Sequence, residues 1–152
     1  MQVDDNVAVN TDRAVLSGIL SGTGSISKTG AGTLFLDGDN LYTGTTTVNA
    51  GGIGGNGSID GNLVLATGGR LDVMVGNTLD VDGDVDLSNT NSLHLVGSLP
   101  TERSVILTYT GSLTGVIDSH DMGEDDYEVD YSVNGEIAIL PKPPGGTVII
   151  IK

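Results

Sequence analysis

The sequence predicts an all-β fold: a parallel β-helix of about four coils, with a C-terminal antiparallel β-hairpin cap and a terminal extended strand. Three observations support this prediction. Glycine and threonine interrupt every window that could carry the i, i+3, i+4, i+7 apolar spacing of a helix. Apolar residues alternate with polar ones at a period of two, which is typical of half-buried strands. The alternating sets also recur after 22 residues, about the length of one β-helix coil.

Short strands are predicted wherever two or three apolar residues alternate. In each strand the apolar side chains point to one face, toward the core, and the residues between them point the other way. We therefore expect the intervening residues Asp72, Asp80, Asp86 and His94 to face water. The alternating sets are Leu34 and Leu36; Leu63 and Leu65; Leu71, Val73 and Val75; Leu79 and Val81; Val85 and Leu87; and Leu93 and Leu95.

The coils are predicted over residues 19–109, and residues 1–18 start the first coil. The 22-residue offset aligns five apolar residues in one predicted column: Ile19, Leu41, Leu63, Val85 and Leu107. Each corner of a stacked coil needs residues that accept a positive φ or a tight bend. Glycines lie between the apolar sets where such corners are expected: Gly51, Gly52, Gly54, Gly55, Gly68, Gly69 and Gly83.

Residues 110–140 are predicted to form an acidic, glycine-rich loop and then a β-hairpin. Tyrosine and valine alternate with other residues from position 127 to position 133. Asn134-Gly135 then marks a type I′ turn, and a returning strand follows over residues 136–140. A hairpin at the end of a parallel stack covers backbone groups that would otherwise pair with another chain, so we expect it to cap the coils.

Residues 141–152 combine a Pro-rich linker, a Gly-Gly hinge and an apolar strand. Three interpretations stay open. The strand folds onto an edge of its own sheet, it is donated to the sheet edge of the next subunit, or it was added for expression. Donation is β-augmentation, in which main-chain hydrogen bonds give the affinity. In that case the self-association residues are Thr147, Val148, Ile149, Ile150 and Ile151.

Composition limits the possible partners. Twenty acidic and six basic residues give a formal net charge of −14, which repels phosphate backbones and anionic lipid surfaces. Nucleic acid is therefore not expected as a partner, and no segment approaches the about 20 apolar residues of a membrane helix. The chain has no cysteine, and its first thirty residues lack a basic and then apolar signal segment. If the protein is exported, we expect this chain to be a mature or excised piece.

A motif of regularly spaced glycine, threonine and apolar residues occupies residues 21–53. From Gly22 to Gly51 it reads G-x-G-x-I-x-K-x-G-x-G-T-L-x-L-x-G-x-N-x-Y-x-G-x-T-x-V-x-x-G. This pattern resembles the passenger-associated β-strand repeat of bacterial autotransporters and related surface proteins. The resemblance implies a right-handed β-helix, a passenger-like stalk, and a location outside the cell or at the bacterial surface.

Acidic residues provide the candidate metal sites. Carboxylate oxygens are preferred ligands of Ca²⁺, which is the one cofactor that the sequence suggests. The candidate calcium site is the densest acidic cluster, Asp118, Asp121, Glu124, Asp125 and Asp126. A second set of carboxylates would share one side of a strand if extended conformation continued through Gly83, and we interpret it as a solvated outer face. This set is Asp80, Asp82, Asp84 and Asp86.

Catalysis is not expected. His94 and His120 are the two imidazoles, and there is no cysteine nucleophile. Ser119, His120 and Asp121 are neighbours on a strand, so consecutive side chains point to opposite faces rather than converge.

Three classes of function stay open. The favoured class is a structural stalk or fibre subunit that assembles with itself through coil stacking and strand donation. The second is an adhesin that binds glycan or host protein, for which Phe35, Tyr42 and Tyr109 are the aromatic residues to test as sugar platforms. The third, by fold analogy alone, is a β-helix enzyme that cleaves polysaccharide.

Overall fold

The computed structural model describes residues 12–122 and 126–143. Those residues form short strands joined by turns, and no helix long and apolar enough to cross a bilayer occurs among them. The strands in chain order are β1 Arg13–Leu16, β2 Ser21–Gly22, β3 Ile26–Lys28, β4 Thr33–Leu36, β5 Asp39–Tyr42, β6 Thr46–Val48, β7 Gly51–Gly54, β8 Ser58–Ile59, β9 Leu63–Leu65, β10 Gly69–Met74, β11 Leu79–Val81, β12 Val85–Leu87, β13 Ser92–Val96, β14 Ser104–Tyr109, β15 Leu113–Gly115, β16 Ser119–His120, β17 Tyr127–Asp130 and β18 Glu136–Pro141.

The strands stack into a β-solenoid with three sheets. Sheet 1 has the order β1-β4-β7-β10-β13-β16, sheet 2 has the order β2-β5-β8-β11-β14-β18-β17, and sheet 3 has the order β3-β6-β9-β12-β15. Each turn of the chain adds one strand to each sheet, and successive turns pair in parallel. Four turns lead from β1 to β13, and a longer turn leads on to β16. The predicted all-β fold with about four stacked coils is confirmed.

The turns differ in length, and this makes the predicted column of five apolar residues wrong. Leu63 pairs with Val85, 22 residues later, as expected. The preceding turn in sheet 3 takes 17 residues and the following one takes 28. Leu107 consequently lies in sheet 2 beside Leu79, while Ile19 and Leu41 are exposed. A fixed offset fails because insertions at the corners change the length of a coil without changing the strand register.

The core lies inside the coils, where equivalent residues of successive turns contact each other. In sheet 1 the column runs through Leu34, Ile53, Leu71 and Leu93, all of them buried. Fully burying a side chain of this kind contributes roughly 1.5–3 kcal/mol. The core is therefore built from small and medium aliphatic side chains in columns, as the low aromatic content of 3% requires.

Polar residues of the 21–53 motif are also buried, and they bind the backbone at the corners. The Nζ atom of Lys28 donates to the carbonyl oxygens of Thr29 at 3.0 Å, Gly30 at 2.7 Å and Ala50 at 2.9 Å. Gly30 and Ala50 belong to successive turns, at the corner between sheets 3 and 1. The buried ammonium group therefore fastens one coil to the next. A glycine is required beside it, because Gly51 has φ +70 and a Cβ there would overlap with the carbonyl oxygen of Gly30.

Asn40 has the same function at the corner that opens sheet 2. Its side-chain oxygen accepts a hydrogen bond from the amide of Leu20 at 2.9 Å. Its side-chain nitrogen donates to the carbonyl oxygens of Gly38 and Ser58, both at 2.9 Å. One amide side chain thus connects three successive turns, so its burial carries no unpaired polar group.

The antiparallel hairpin is confirmed, and it covers the last sheet 2 strand of the solenoid. β17 pairs antiparallel with β18, and β18 pairs antiparallel with β14. The turn lies at Asn134-Gly135, where Gly135 has φ +84 and the amide of Glu136 donates to the carbonyl oxygen of Val133. The predicted first strand is longer than the observed one, because the chain leaves the ladder after Asp130.

An ion pair joins the hairpin to the segment before β14. Arg103 donates to the carboxylate of Asp130 at 2.6 Å and to that of Glu136 at 2.8 Å. The amide of Ser132 also donates to Asp130, at 2.9 Å, which bends the chain out of β17. Mainly because of the Arg103 guanidinium, and then of Ser132, the pKa of Asp130 falls from 3.8 to about 2.

Replacing Lys28 with methionine should destabilise the solenoid by about 3 kcal/mol. The aliphatic side chain would still fill the corner, but three carbonyl oxygens would lose their charged donor, which is itself buried. Urea unfolding followed by circular dichroism measures the change. Lys142→Met, at a half-buried position, is the matched control and should cost less than about 1 kcal/mol. Equal unfolding midpoints for the two variants would contradict the proposed role of Lys28.

Replacing Arg103 with glutamine should make the free energy of unfolding depend less on pH in the acidic range. A folded-state pKa below the unfolded value stabilises the protein above pH 3.8, and this contribution is lost as the pH falls toward about 2. The melting temperatures of the wild type and Arg103→Gln should therefore differ most at neutral pH and converge at about pH 2. Arg13→Gln, which removes the same charge at an exposed position, should track the wild type. A constant difference across this pH range would rule out the ion pair as its cause.

Candidate binding groove on the outer face of sheet 1

The outer face of sheet 1 has a trough in its middle, because glycines occupy the two outward-facing positions of β7 and leave no side chain there. Gly52 lies between Thr33 of β4 and Arg70 of β10 in the strand register, and Gly54 lies beside Phe35. Neighbouring strands are about 4.8 Å apart, so side chains of β4 and β10 can meet only if the strand between them has none. The two glycines therefore bring residues from alternate turns into contact.

Asp72 is the residue that uses this space. Its carboxylate lies over Gly52, where a Cβ would overlap with it. It accepts a hydrogen bond from the hydroxyl of Thr33 and is bound through both oxygens by the Arg70 guanidinium, with Nη2 at 2.8 Å from Oδ2. Asp72 is only 1% exposed, so the expectation that it faces water is wrong. It points outward as predicted, but Thr33 and Arg70 enclose it.

Phe35 and Arg13 form the other side of the trough. A Cβ at Gly54 would lie only 3.3 Å from the Phe35 ring, and Phe35 is 5% exposed although it points away from the core. Arg13, on the next strand, is exposed. The resulting cavity, here called the outer groove, has a volume of about 420 Å³. It is lined by Arg13, Thr33, Phe35, Arg70, Asp72, His94 and Val96.

His94 is held at its position in the outer groove by a carboxylate of the next turn. Its Nδ1 atom contacts the carboxylate of Asp121, which also accepts a hydrogen bond from the amide of Leu95 at 3.0 Å. Within the part of the chain that the structure describes, this leaves Nε2 as the ring nitrogen for a ligand. His94 and Asp121 are each nearly half exposed.

The outer groove holds two arginines, with the carboxylates of Asp72 and Asp121 in it or beside it. Arg13 and Arg70 are two of the six basic residues, and the buried Asp72 balances one of them. Among the described residues Arg13 has no carboxylate partner, so the groove offers this guanidinium together with hydrogen-bonding groups and two apolar side chains. This arrangement can bind an anionic group and neighbouring hydroxyl groups.

The predicted calcium residues do not form one cluster among the described residues. Asp118 accepts a hydrogen bond from the amide of Asn91 at 2.9 Å, and Asp121 binds His94 and Leu95. Glu124 and Asp125 lie outside the described residues, and the Asp126 carbonyl oxygen accepts from the amide of Lys142. No group of three or more potential metal-ligating side chains occurs in residues 12–122 and 126–143. The calcium site stays a prediction.

The second acidic set does not share one strand, because a corner at Gly83 separates β11 from β12. Its side chains lie on the outer surface, as predicted, and each accepts a hydrogen bond. Asp80 and Asp82 accept from threonine hydroxyls one turn later, Asp84 accepts from the amide of Ser112, and Asp86 accepts from the amide of Ser88. These carboxylates therefore contribute to stacking and local turns.

The structure separates Ser119, His120 and Asp121 as expected from strand geometry. His120 pairs in register with Leu93, so it belongs to the inward-pointing column, and its Nδ1 atom is buried without a partner among the described residues. Asp121 instead contacts His94 on the outer face. These three residues therefore do not converge on one point.

The three aromatic residues proposed as sugar platforms are buried or half-buried. Tyr42 is buried, and its hydroxyl lies 2.5 Å from that of Thr46. Burial raises the pKa of Tyr42 above 10.0. Tyr109 packs against the core and Phe35 lines the outer groove. Of these three residues, Phe35 is the one that lies beside the outer groove.

Two comparisons with known proteins agree with this architecture. Residues 26–53 match the family model described as passenger-associated-transport-repeat. The chain carries an autotransporter passenger repeat. This confirms the resemblance of the 21–53 motif, and in the structure the repeat covers five strands, β3 to β7, which make up more than one turn of the solenoid.

A curated relative extends the similarity beyond the repeat. Over 100 residues, 66% of the chain, the sequence is 43% identical to "Adhesin BmaC autotransporter" of Brucella suis biovar 1 (strain 1330). The chain spans 2% of the length of that relative. The repeat and the relative together indicate a location at the bacterial cell surface or outside the cell and a passenger segment of a surface protein.

Alanine at either glycine of β7 should destabilise the protein, and Gly54→Ala should do so more. A Cβ at Gly54 would overlap with the backbone oxygen of Asp72 and push β7 from β10, at a cost of about 3 kcal/mol. At Gly52 it would displace the Asp72 carboxylate, which can rotate away, at a cost of about 1.5 kcal/mol. Gly24→Ala, with open space around it, should change stability by less than about 0.5 kcal/mol. Chemical denaturation measures all three, and the reverse order for Gly52 and Gly54 would contradict the described packing.

Proposed function

We propose that this chain is a non-enzymatic structural segment of a surface-displayed passenger, in which the stacked coils form a length of stalk. The observation that supports this most is the continuity of the core. Leu34, Ile53, Leu71 and Leu93 form one column through four turns, and each turn contacts mainly the turns beside it. Solenoids of this kind lengthen by adding turns, so the architecture is suited to forming an extended stalk.

The N-terminal end of the stack supports a role in which coils continue. Among the described residues, β1, β2 and β3 each pair with another strand on one side only. A hollow of about 260 Å³ lies at this end, and its lining includes Leu16, Leu20 and Ile26. Open backbone edges around an apolar hollow are what a further coil needs in order to pair and to bury its own side chains. That coil would come from a longer chain or from a second copy.

The opposite end is only partly open. β18 covers the sheet 2 edge of β14, while β15 and β16 pair on one side only among the described residues. Stacking of further coils is therefore proposed at the N-terminal end. Donation of the strand of residues 147–151 is a separate route to self-association, and those residues lie outside the described part of the chain.

A light-scattering and negative-stain experiment tests the proposal. The purified chain should form elongated particles that lengthen as the concentration rises, because open ends accept coils of a second copy. Leu20→Glu places a charge in the apolar hollow and should abolish the lengthening. Val133→Glu, at an exposed position of the hairpin loop, is the matched control and should leave it unchanged.

A chain shortened by residues 147–152 separates the two routes. Lengthening that survives the deletion and is lost in Leu20→Glu supports coil stacking, whereas lengthening lost with the deletion supports strand donation. Compact monomers at every concentration would contradict both. Release of reducing ends from an acidic polysaccharide would contradict the non-enzymatic part of the proposal.

A further inference from the structure

We propose that the outer groove binds a carboxylate-bearing sugar ring, such as one in an acidic glycan. This goes beyond the stalk role and does not depend on it, because the groove uses the outward side chains of sheet 1, whereas an added coil would pair with the backbone edge of β1. Adhesion and length would then be properties of different surfaces of the same segment.

The size of the groove fits one sugar ring and part of its neighbour. Binding sites for small molecules occupy about 300–1,000 Å³, and the outer groove has about 420 Å³. The space exists because Gly52 and Gly54 leave the floor without side chains. The floor is rigid, since β7 pairs with β4 on one side and with β10 on the other.

Arg13 is the residue that would bind the carboxylate. It is exposed on β1 and makes no hydrogen bond or ion pair with any described residue. The Arg70 guanidinium is bound bidentately by Asp72, so its charge is balanced and its position is fixed. An arginine presents a planar set of donors that matches a carboxylate, so Arg13 is suited to this contact.

The remaining lining suits the hydroxyl groups and the apolar face of a sugar. The hydroxyl oxygen of Thr33 and Nε2 of His94 are the polar atoms beside the groove, while the Asp72 carboxylate is buried and holds Arg70 in place. Phe35 and Val96 provide apolar surface. Sugars need both kinds of contact, because their hydroxyl groups lie around the edge of a ring whose C–H groups form an apolar face.

Charge disfavours a more highly charged ligand. Asp72 and Asp121 are carboxylates at the groove or beside it, and the chain as a whole carries −14. A phosphate dianion would meet this negative field with Arg13 as the one groove arginine that has no carboxylate partner among the described residues, whereas a monoanionic carboxylate requires only that one partner. A simple aliphatic carboxylate would use Arg13 but leave the hydroxyl-binding groups without a ligand.

The test is a titration of the ¹⁵N-labelled chain with D-glucuronate and N-acetylneuraminate, followed by amide NMR spectra. Both probes should shift the amides of Phe35, Gly54 and His94 in a saturable way. D-glucose lacks the carboxylate and acetate lacks the ring, so each should bind at least about tenfold more weakly. Inorganic phosphate should also bind at least about tenfold more weakly.

Arg13→Ala should weaken the binding of both acidic sugars about tenfold, the effect of losing one charge-assisted contact. Lys142→Ala removes the same charge outside the groove and should bind like the wild type. Unchanged spectra away from position 13 would show that the variant is folded. Binding that is absent in the wild type, retained in Arg13→Ala, or equally strong for glucose, acetate or phosphate would overturn the proposal.

Discussion

The in-register parallel ladder between successive turns is the constraint on which the rest of the structure depends. Because strands of one sheet pair residue by residue, every side chain lies directly against its counterparts in the turns before and after. An interior residue is thereby buried by two neighbours of its own column, such as Ile53 by Leu34 and Leu71. A solenoid with one phenylalanine and no tryptophan can form a core in this way, since small side chains suffice when they stack.

The same ladder explains why polar residues recur at the corners. Where the chain bends, some backbone groups lose their ladder partners, and side chains of neighbouring turns replace them. Asn56 accepts from the amide of Thr78, and Asn62 accepts from the amide of Asp84, in each case 22 residues later. Lys28 and Asn40 also bind backbone groups of neighbouring turns, but their side chains are buried inside the solenoid. The residues of the passenger repeat thus stabilise the stacking of one coil on another. They do not by themselves predict which ligand the segment binds.

The outer groove arises where the ladder is perturbed rather than where the repeat is regular. Two outward glycines remove the side chains from one strand, so residues two turns apart come into contact and an aspartate becomes buried on an outer face. Only Thr33 and Phe35 of the lining lie within the matched repeat; Arg13, Arg70, Asp72, His94 and Val96 lie outside it. The repeat therefore accounts for the stacked strands, whereas residues of the turns before and after it form most of the outer groove.

The sequence by itself determined the all-β class, the inward and outward faces of most strands, and the hairpin, because each depends on local alternation or on a local turn. The stacking partners were decided only by the tertiary structure, since corner insertions make the turns 17 to 28 residues long and leave no fixed period to read. This is why the column through Ile19 and Leu107 was wrong. Asp72 shows the same limit, because alternation fixes the side to which a residue points, whereas its exposure depends on Thr33 and Gly52, which only the fold brings beside it.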